Sequence, residues 1–163
     1  MENLILEINK EDLLEHIYKS SAYTARSREA MGIPATVCDA MQATADNANM
    51  IEPLLKKSVG EAVSIIDEYF HGSTHVQTEK ENCIYYEYKI PVPSNFPQEN
   101  SAILEGVIGD YLVQRTLHLW YIMVKPDEAG ITATVVNDIS ANLRRLLTMR
   151  EKPHMTSTQA QEE

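Results

Sequence analysis

The chain has 163 residues and carries 24 Asp and Glu against 14 Lys and Arg, a formal net charge of −10. That length supports one soluble domain burying about 70% of the surface its unfolded chain exposes, and the acidic balance excludes a protein that wraps nucleic acid. Cys38 and Cys83 are too few for a disulfide framework and too far apart for a CxxC metal site, so reduced intracellular thiols are expected.

The first residues hold no basic region followed by a long apolar stretch, and no apolar run approaches the about 20 residues of a membrane span. The expectation is a protein that stays in the cell that makes it. Asn9 reads as a helix N-cap, with Glu11 and Asp12 in the first turn, where the helix dipole favours carboxylates. Leu13, Leu14, Ile17 and Tyr18 give the helix its apolar stripe, which should end near Met31 and Gly32. Residues 36–50 can also be helical. Pro53 then interrupts the pattern unless it lies in a first turn, so a restart capped by Asp46 or Asn49 is expected. Ile51, Leu55, Ala62, Ile65, Ile66 and Tyr69 keep helical spacing to Phe70, and His71 and Gly72 stop it.

The period changes next. Ile84, Tyr86, Tyr88 and Ile90 alternate with Cys83, Tyr85, Glu87 and Lys89, the pattern of a half-buried strand, and residues 75–80 are its hairpin partner across Glu81 and Asn82. Two strands alone are marginal in water, so either a third strand or a helix beneath them is needed; residues 3–8 can supply the strand, from this chain or a neighbouring copy. Pro91, Pro93 and Pro97 form a stiff connector. Residues 98–125 then carry the longest helical stripe, Leu104, Ile108, Tyr111, Leu112, Leu119 and Ile122, on a helix about 40 Å long. Its end, residues 117–124, is apolar almost all the way round, which predicts burial on every side by a central position or a subunit interface. Pro126, Asp127 and Glu128 start the last helix, residues 127–150, antiparallel to its predecessor, with Val135, Val136, Ile139, Leu143, Leu146 and Leu147 facing inward. The polar residues after Lys152 hold too little apolar surface to fold alone. The division is a single domain over 1–153 and a polar tail over 154–163.

Chemical motifs are few. Glu68 and His71 have the ExxH spacing of carboxylate di-metal helices, without partner glutamates at matching depth, so the simpler reading is a histidine complementing a helix C-terminus. His16 and His118 stand singly. No cofactor, metal or catalytic residue is expected. Arg115 interrupts an apolar stripe, and a cation there must be paired or reach out to water. Counting back from the helix junction puts it at the depth of Asp138, which predicts an interhelical ion pair; an arginine held for an anionic ligand is the alternative. On the last helix Gly130, Ala133, Thr134, Asn137 and Ala141 lie opposite the leucine stripe and allow another backbone to come close; the two readings are a subunit contact and an ordinary Ala-rich surface. Arg144, Arg145, Arg150 and Lys152 continue as the one basic cluster, complementing the helix dipole or docking an acidic neighbour.

The order of elements resembles the head-tail connector proteins of tailed bacteriophages. The resemblance runs over residues 36–153: a capped helix from Asp46 and Asn47 through Ile51 and Ala62 to Tyr69 and Phe70, a β excursion, and a long helix ending in Leu119, Trp120 and Tyr121. Pro126 to Ala129 and a last helix ending at Arg150 to Pro153 complete it. It implies a mainly α fold, an antiparallel helical bundle with a small β-hairpin insertion, acting as a non-enzymatic ring subunit in the neck of a virion. A homo-oligomer, commonly twelve-fold, would contact the portal protein and the tail or neck proteins. DNA would pass through without sequence-specific binding, eased by acidic walls that repel its backbone, and no membrane is involved. The alternative class is an acidic helical regulator, an antitoxin or immunity-like inhibitor, that binds one basic protein.

Overall fold

The computed structural model describes residues 2–150 of the chain. Within them the fold is mainly helical with one small antiparallel sheet. Strand β1 (Glu2–Asn9) runs directly into α1 (Lys10–Ala30). The Asn9 side chain accepts hydrogen bonds from the backbone N–H groups of Glu11 and Asp12 at 2.8 and 3.3 Å, the predicted cap. Gly32, with φ of +93°, ends the helix as expected of a residue free to enter the left-handed region.

The helix allowed over 36–50 is shorter in the structure. Helix α2 (Ala35–Met41) stops at Gln42, because tertiary partners take over the next backbone groups. The Ala43 N–H donates to Ser21 Oγ at 2.9 Å, and Trp120 Nε1–H donates to the Met41 carbonyl at 2.8 Å. A short 3₁₀ turn over Ala45–Asn47 leads into α3 (Ala48–Asp67). Neither Asp46 nor Asn49 is the cap: Asn47 takes that position, its side chain accepting from the Thr44 N–H at 3.1 Å. Pro53 falls in the second turn of α3 rather than the first, exposed and inside a continuous helix. At the other end the Asp67 carboxylate accepts from the N–H groups of Gly72 and Ser73 at 2.7 and 3.1 Å and turns the chain into the sheet.

The sheet has the order β1-β3-β2, with β2 (Thr74–Lys80) and β3 (Cys83–Val92) joined by Glu81 and Asn82. Both turn residues have positive φ, +51° and +63°, the geometry that follows the natural twist of paired strands even without glycine. The third strand comes from the same chain: β1 pairs with β3 along its whole length, Leu6 opposite Tyr88 and Ile8 opposite Tyr86. Leu6, Ile8, Tyr86, Tyr88, Ile90 and Val92 point inward and are buried, while Ile5 and Val76 stand half exposed on the outer face.

Helix α4 (Asn100–Val124) is the centre of the molecule, packed against α1, α3, α5 and β1. Leu104, Ile108 and Leu112 are fully buried, in one core with Leu55 and Val59 of α3 and with Leu143 and Leu147 of α5 (Pro126–Thr148). Only Lys125 separates α4 from α5, so the chain must reverse there. Where α3 crosses α4 the contact is polar but satisfied: Thr116 and Ser58 hydroxyls lie 3.2 Å apart, each donating to a carbonyl of its own helix.

The all-round burial predicted for 117–124 does not occur within one chain. Leu117, Trp120 and Tyr121 are buried, but Ile122 and Met123 are each 50% exposed. The elements around α4 cover only part of its circumference at that end, and the remaining part is apolar surface.

Candidate functional site

Arg115 was expected opposite Asp138, but it is bound by α3. Its Nε–H and Nη2–H donate to the two carboxylate oxygens of Glu61 at 2.6 and 3.0 Å, a bidentate pair with the side chains 23% and 31% exposed. The hydrogen bonds from Arg115 hold the Glu61 carboxyl below its usual range, and Lys57 adds to the effect. Asp138 is exposed on α5. Equal depth along two neighbouring helices does not fix the azimuth of a side chain. Asp138 follows the buried Val136 by two residues, about 200° of helix rotation, and so points outward.

The Arg115–Glu61 pair lies in a groove of about 420 Å³ between α3 and α5, with α4 as its floor. Tyr111 and Arg115 come from α4, Glu61 and Ser64 from α3, and Asn137, Ser140 and Arg144 from α5. Arg144 bridges the two walls, its Nε 3.4 Å from Glu68 at the C-cap of α3, and also donates to Ser140. On the same stripe of α4, Leu119 and Ile122 follow Arg115 at one and two turns, so the polar floor continues into half-exposed apolar surface.

The small residues singled out on α5 are all accessible. Gly130, Asn137 and Ala141 are exposed and Ala133 is half-buried, and nothing lies within 4 Å of where a Cβ on Gly130 would stand. Packing within the chain therefore does not demand the glycine. Of the basic cluster, Arg144 lines the groove, Arg145 donates to Asn142 at 2.9 Å on the outer side, and Arg150 donates to the Leu147 and Met149 carbonyls at 2.9 and 2.6 Å with its guanidinium 5.1 Å from the Phe70 ring. Thus Arg115, Asn137 and Arg144 are brought together, while Arg145 and Arg150 face elsewhere. Lys152 and the 154–163 tail lie outside the described residues.

Glu68 and His71 do not converge. Glu68 turns to Arg144, and His71 stands in solvent near Asp67 at 3.9 Å. Among the described residues no group of three or more His, Cys, Asp or Glu side chains is placed to hold a metal ion, and no helix is long and apolar enough to cross a membrane. His16 is exposed on α1, and His118 Nδ1 lies 3.0 Å from the Ala129 carbonyl at the α4–α5 contact.

A second groove, of about 430 Å³, was invisible in the sequence because β1, α1 and α4 each contribute to it. Glu7, Asp12, Glu105 and Asp110 surround Ile8 and Leu13 there, a concentration of negative charge over an apolar base. No protein-family model matches the chain, and no curated protein or solved structure matches it either.

Proposed function

We propose that this chain is a structural subunit that assembles into a ring and serves as a head-tail connector between a phage portal and tail. The observation that carries the reading is the uncovered end of the central helix, where Ile122 and Met123 are half exposed beside the accessible Gly130, Ala133 and Asn137 face of α5. Apolar side chains on the most central element of a domain are costly to leave in water. A neighbouring copy would bury them. In the finer architectural reading the helices form an antiparallel bundle with β2 and β3 as an inserted hairpin, supported by the packing of α3 and α5 on α4 and by the two-residue turn between the strands.

The assembly would sit in the virion neck, touching the portal protein on one side and tail or neck proteins on the other. DNA would pass through without base readout past a chain of net charge −10. Light scattering and electron microscopy at micromolar concentration, alone and with a portal protein, test the proposal. Homogeneous ring-sized particles are expected. A strict monomer in both conditions refutes the reading.

The acidic groove around Asp12 and Glu105 favours one other reading, an acidic helical regulator that engages a single basic protein. That reading requires a stoichiometric complex with one basic partner and no large homo-oligomer, so the same sizing experiment separates the two.

A further inference from the structure

We infer that the uncovered face of α4 between α1 and α5 is a docking trough for a basic amphipathic helix of a partner protein. The inference is independent of ring formation, because it assigns a surface to a partner other than a second copy of this chain.

The acidic groove does not end at Asp110. His16 of α1 and Asp110 of α4 line both that groove and a cleft of about 360 Å³, to which Val113 and Gln114 of α4 and Val135 and Ile139 of α5 also belong. The two therefore form one trough. Its floor is the stretch of α4 from Glu105 to Gln114, about 14 Å of helix. Helix α1 runs beside it throughout, β1 and Tyr85 contribute at the Glu105 end, and α5 contributes at the Gln114 end. Beyond that end, Arg28 and Glu128 tie α1 to α5.

Charge selects the occupant. No Lys or Arg lines either part of the trough. Glu7 is shared with Lys80, but Asp12, Glu105 and Asp110 make no ion pair among the described residues. Lys19, on the outer rim of α1, is already engaged by Glu15 at 2.6 Å. The carboxylates do not converge into a group placed to hold a metal ion, so their counterpart is a row of cations spread along the trough. Another copy of the chain, at net charge −10, is the wrong match for such a surface, and a basic partner is the right one.

The apolar positions and the floor select a helix. Ile131, Val135 and Ile139 follow one another at one-turn spacing along α5, the first two exposed, and the last two line the trough. Gly106 and Gly109 lie in the floor with nothing within 4 Å of where a Cβ would stand, so another helix can lie close against α4. An incoming helix with an apolar face and Lys or Arg along its flank meets Val113, Val135 and Ile139 with the one and Asp12, Glu105 and Asp110 with the other. That is the helix-in-groove mode of recognition, with charge setting the direction of the occupant.

A labelled peptide of about 18 residues, Leu and Lys in amphipathic helical order, is the probe. Its controls are a scrambled peptide of the same composition and a Leu–Glu version. Fluorescence anisotropy at physiological salt should show the full-length protein binding the ordered Leu–Lys peptide at least about tenfold more tightly than either control. Glu105→Lys with Asp110→Lys should weaken that binding at least about tenfold, whereas Asp39→Lys with Asp46→Lys, the same charge change at exposed sites outside the trough, should alter it less than about twofold. Gly109→Phe fills the floor with no Cβ clash and replaces a poor helix former, so it should abolish binding while Tm stays level or rises. Equal weakening by both charge pairs, or full binding by Gly109→Phe, would reveal general attraction to an acidic chain and overturn the proposal. Failure of the wild type to bind the ordered peptide overturns it as well. Wild-type self-association that Gly109→Phe abolishes would put a second copy in the trough and do the same. Sizing without peptide reports on the ring alone: a protein that binds the peptide yet stays monomeric with and without a portal protein refutes the ring and leaves the trough, and a ring that ignores the peptide does the reverse.

Discussion

Replacing Glu61 with Gln tests the assignment of Arg115 most directly. The substitution keeps the shape of the side chain and removes its charge, leaving the guanidinium without its counter-ion. Breaking a fully buried pair in this way costs about 3–5 kcal/mol, and a fully exposed pair contributes about 0–1 kcal/mol. With side chains 23% and 31% exposed, this pair falls between those limits. The expected loss is about 1.5 kcal/mol at pH 7, or about 5 °C in Tm for a domain of this size. The pH dependence follows from the depressed Glu61 carboxyl. A carboxylate whose pKa is lower folded than unfolded contributes stability that is full above the unfolded value, about 4.3, and is lost as pH falls through the folded value. Urea titrations of wild type and variant should therefore differ at pH 7 and converge towards pH 3. Asp138→Ala serves as the control and should change stability by less than about 0.5 kcal/mol, because Asp138 is exposed. Equal stability of Glu61→Gln and wild type at pH 7, or a marked loss on Asp138→Ala, would refute the assignment.

Two other substitutions probe the frame around the grooves. Glu128 is 5% exposed and is held by Arg28, with Arg28 Nη2 3.0 Å from Glu128 Oε2, tying the end of α1 to the start of α5; Glu128→Ala should cost about 3 kcal/mol in urea unfolding by leaving that cation partly buried and unpaired. In the turn between β2 and β3, Glu81→Asn with Asn82→Gly should raise Tm by about 3 °C, since positive φ costs ordinary residues about 1 kcal/mol, and an unchanged or lowered melting point would show that the turn is not strained as its dihedrals indicate.

Local signals in the sequence carried far. Asn9 before two carboxylates marked the start of α1, the alternation at Tyr86, Tyr88 and Ile90 marked a strand, and Pro126 marked the start of α5; each depends on atoms within a few residues of one another. What failed depends on distant partners. Arg115 could be placed by depth on a neighbouring helix, yet Glu61 is 54 positions away on a third helix, and no spacing rule reaches that far. The end of α2 was equally hidden, because it is made by Ser21 and Trp120 taking the backbone groups that a longer helix would use. Residues 117–124 are apolar on every side, a pattern that asks for a central position or a subunit interface; the chain itself covers Leu117, Trp120 and Tyr121 and leaves Ile122 and Met123 half exposed. The acidic groove had no sequence signature, since Glu7, Asp12 and Glu105 become neighbours only when β1, α1 and α4 come together.

The pairing of β1 with β3 has a kinetic consequence. Residues 2–9 find their partners at 85–92, so the sheet cannot close until most of the chain has been synthesised, whereas β2 and β3 meet across two residues. Long-range pairing of this kind slows folding, because loop-closure entropy is lost before any contact compensates for it. Until the first strand docks, β3 presents an open edge, and the Tyr86 and Tyr88 side chains lack their cover from Ile8 and Leu6. A crowded solution of nascent chains can fill that edge with the first strand of another molecule. Strand exchange would then give a linked dimer with the same registers as the monomer, and refolding at low protein concentration should suppress it.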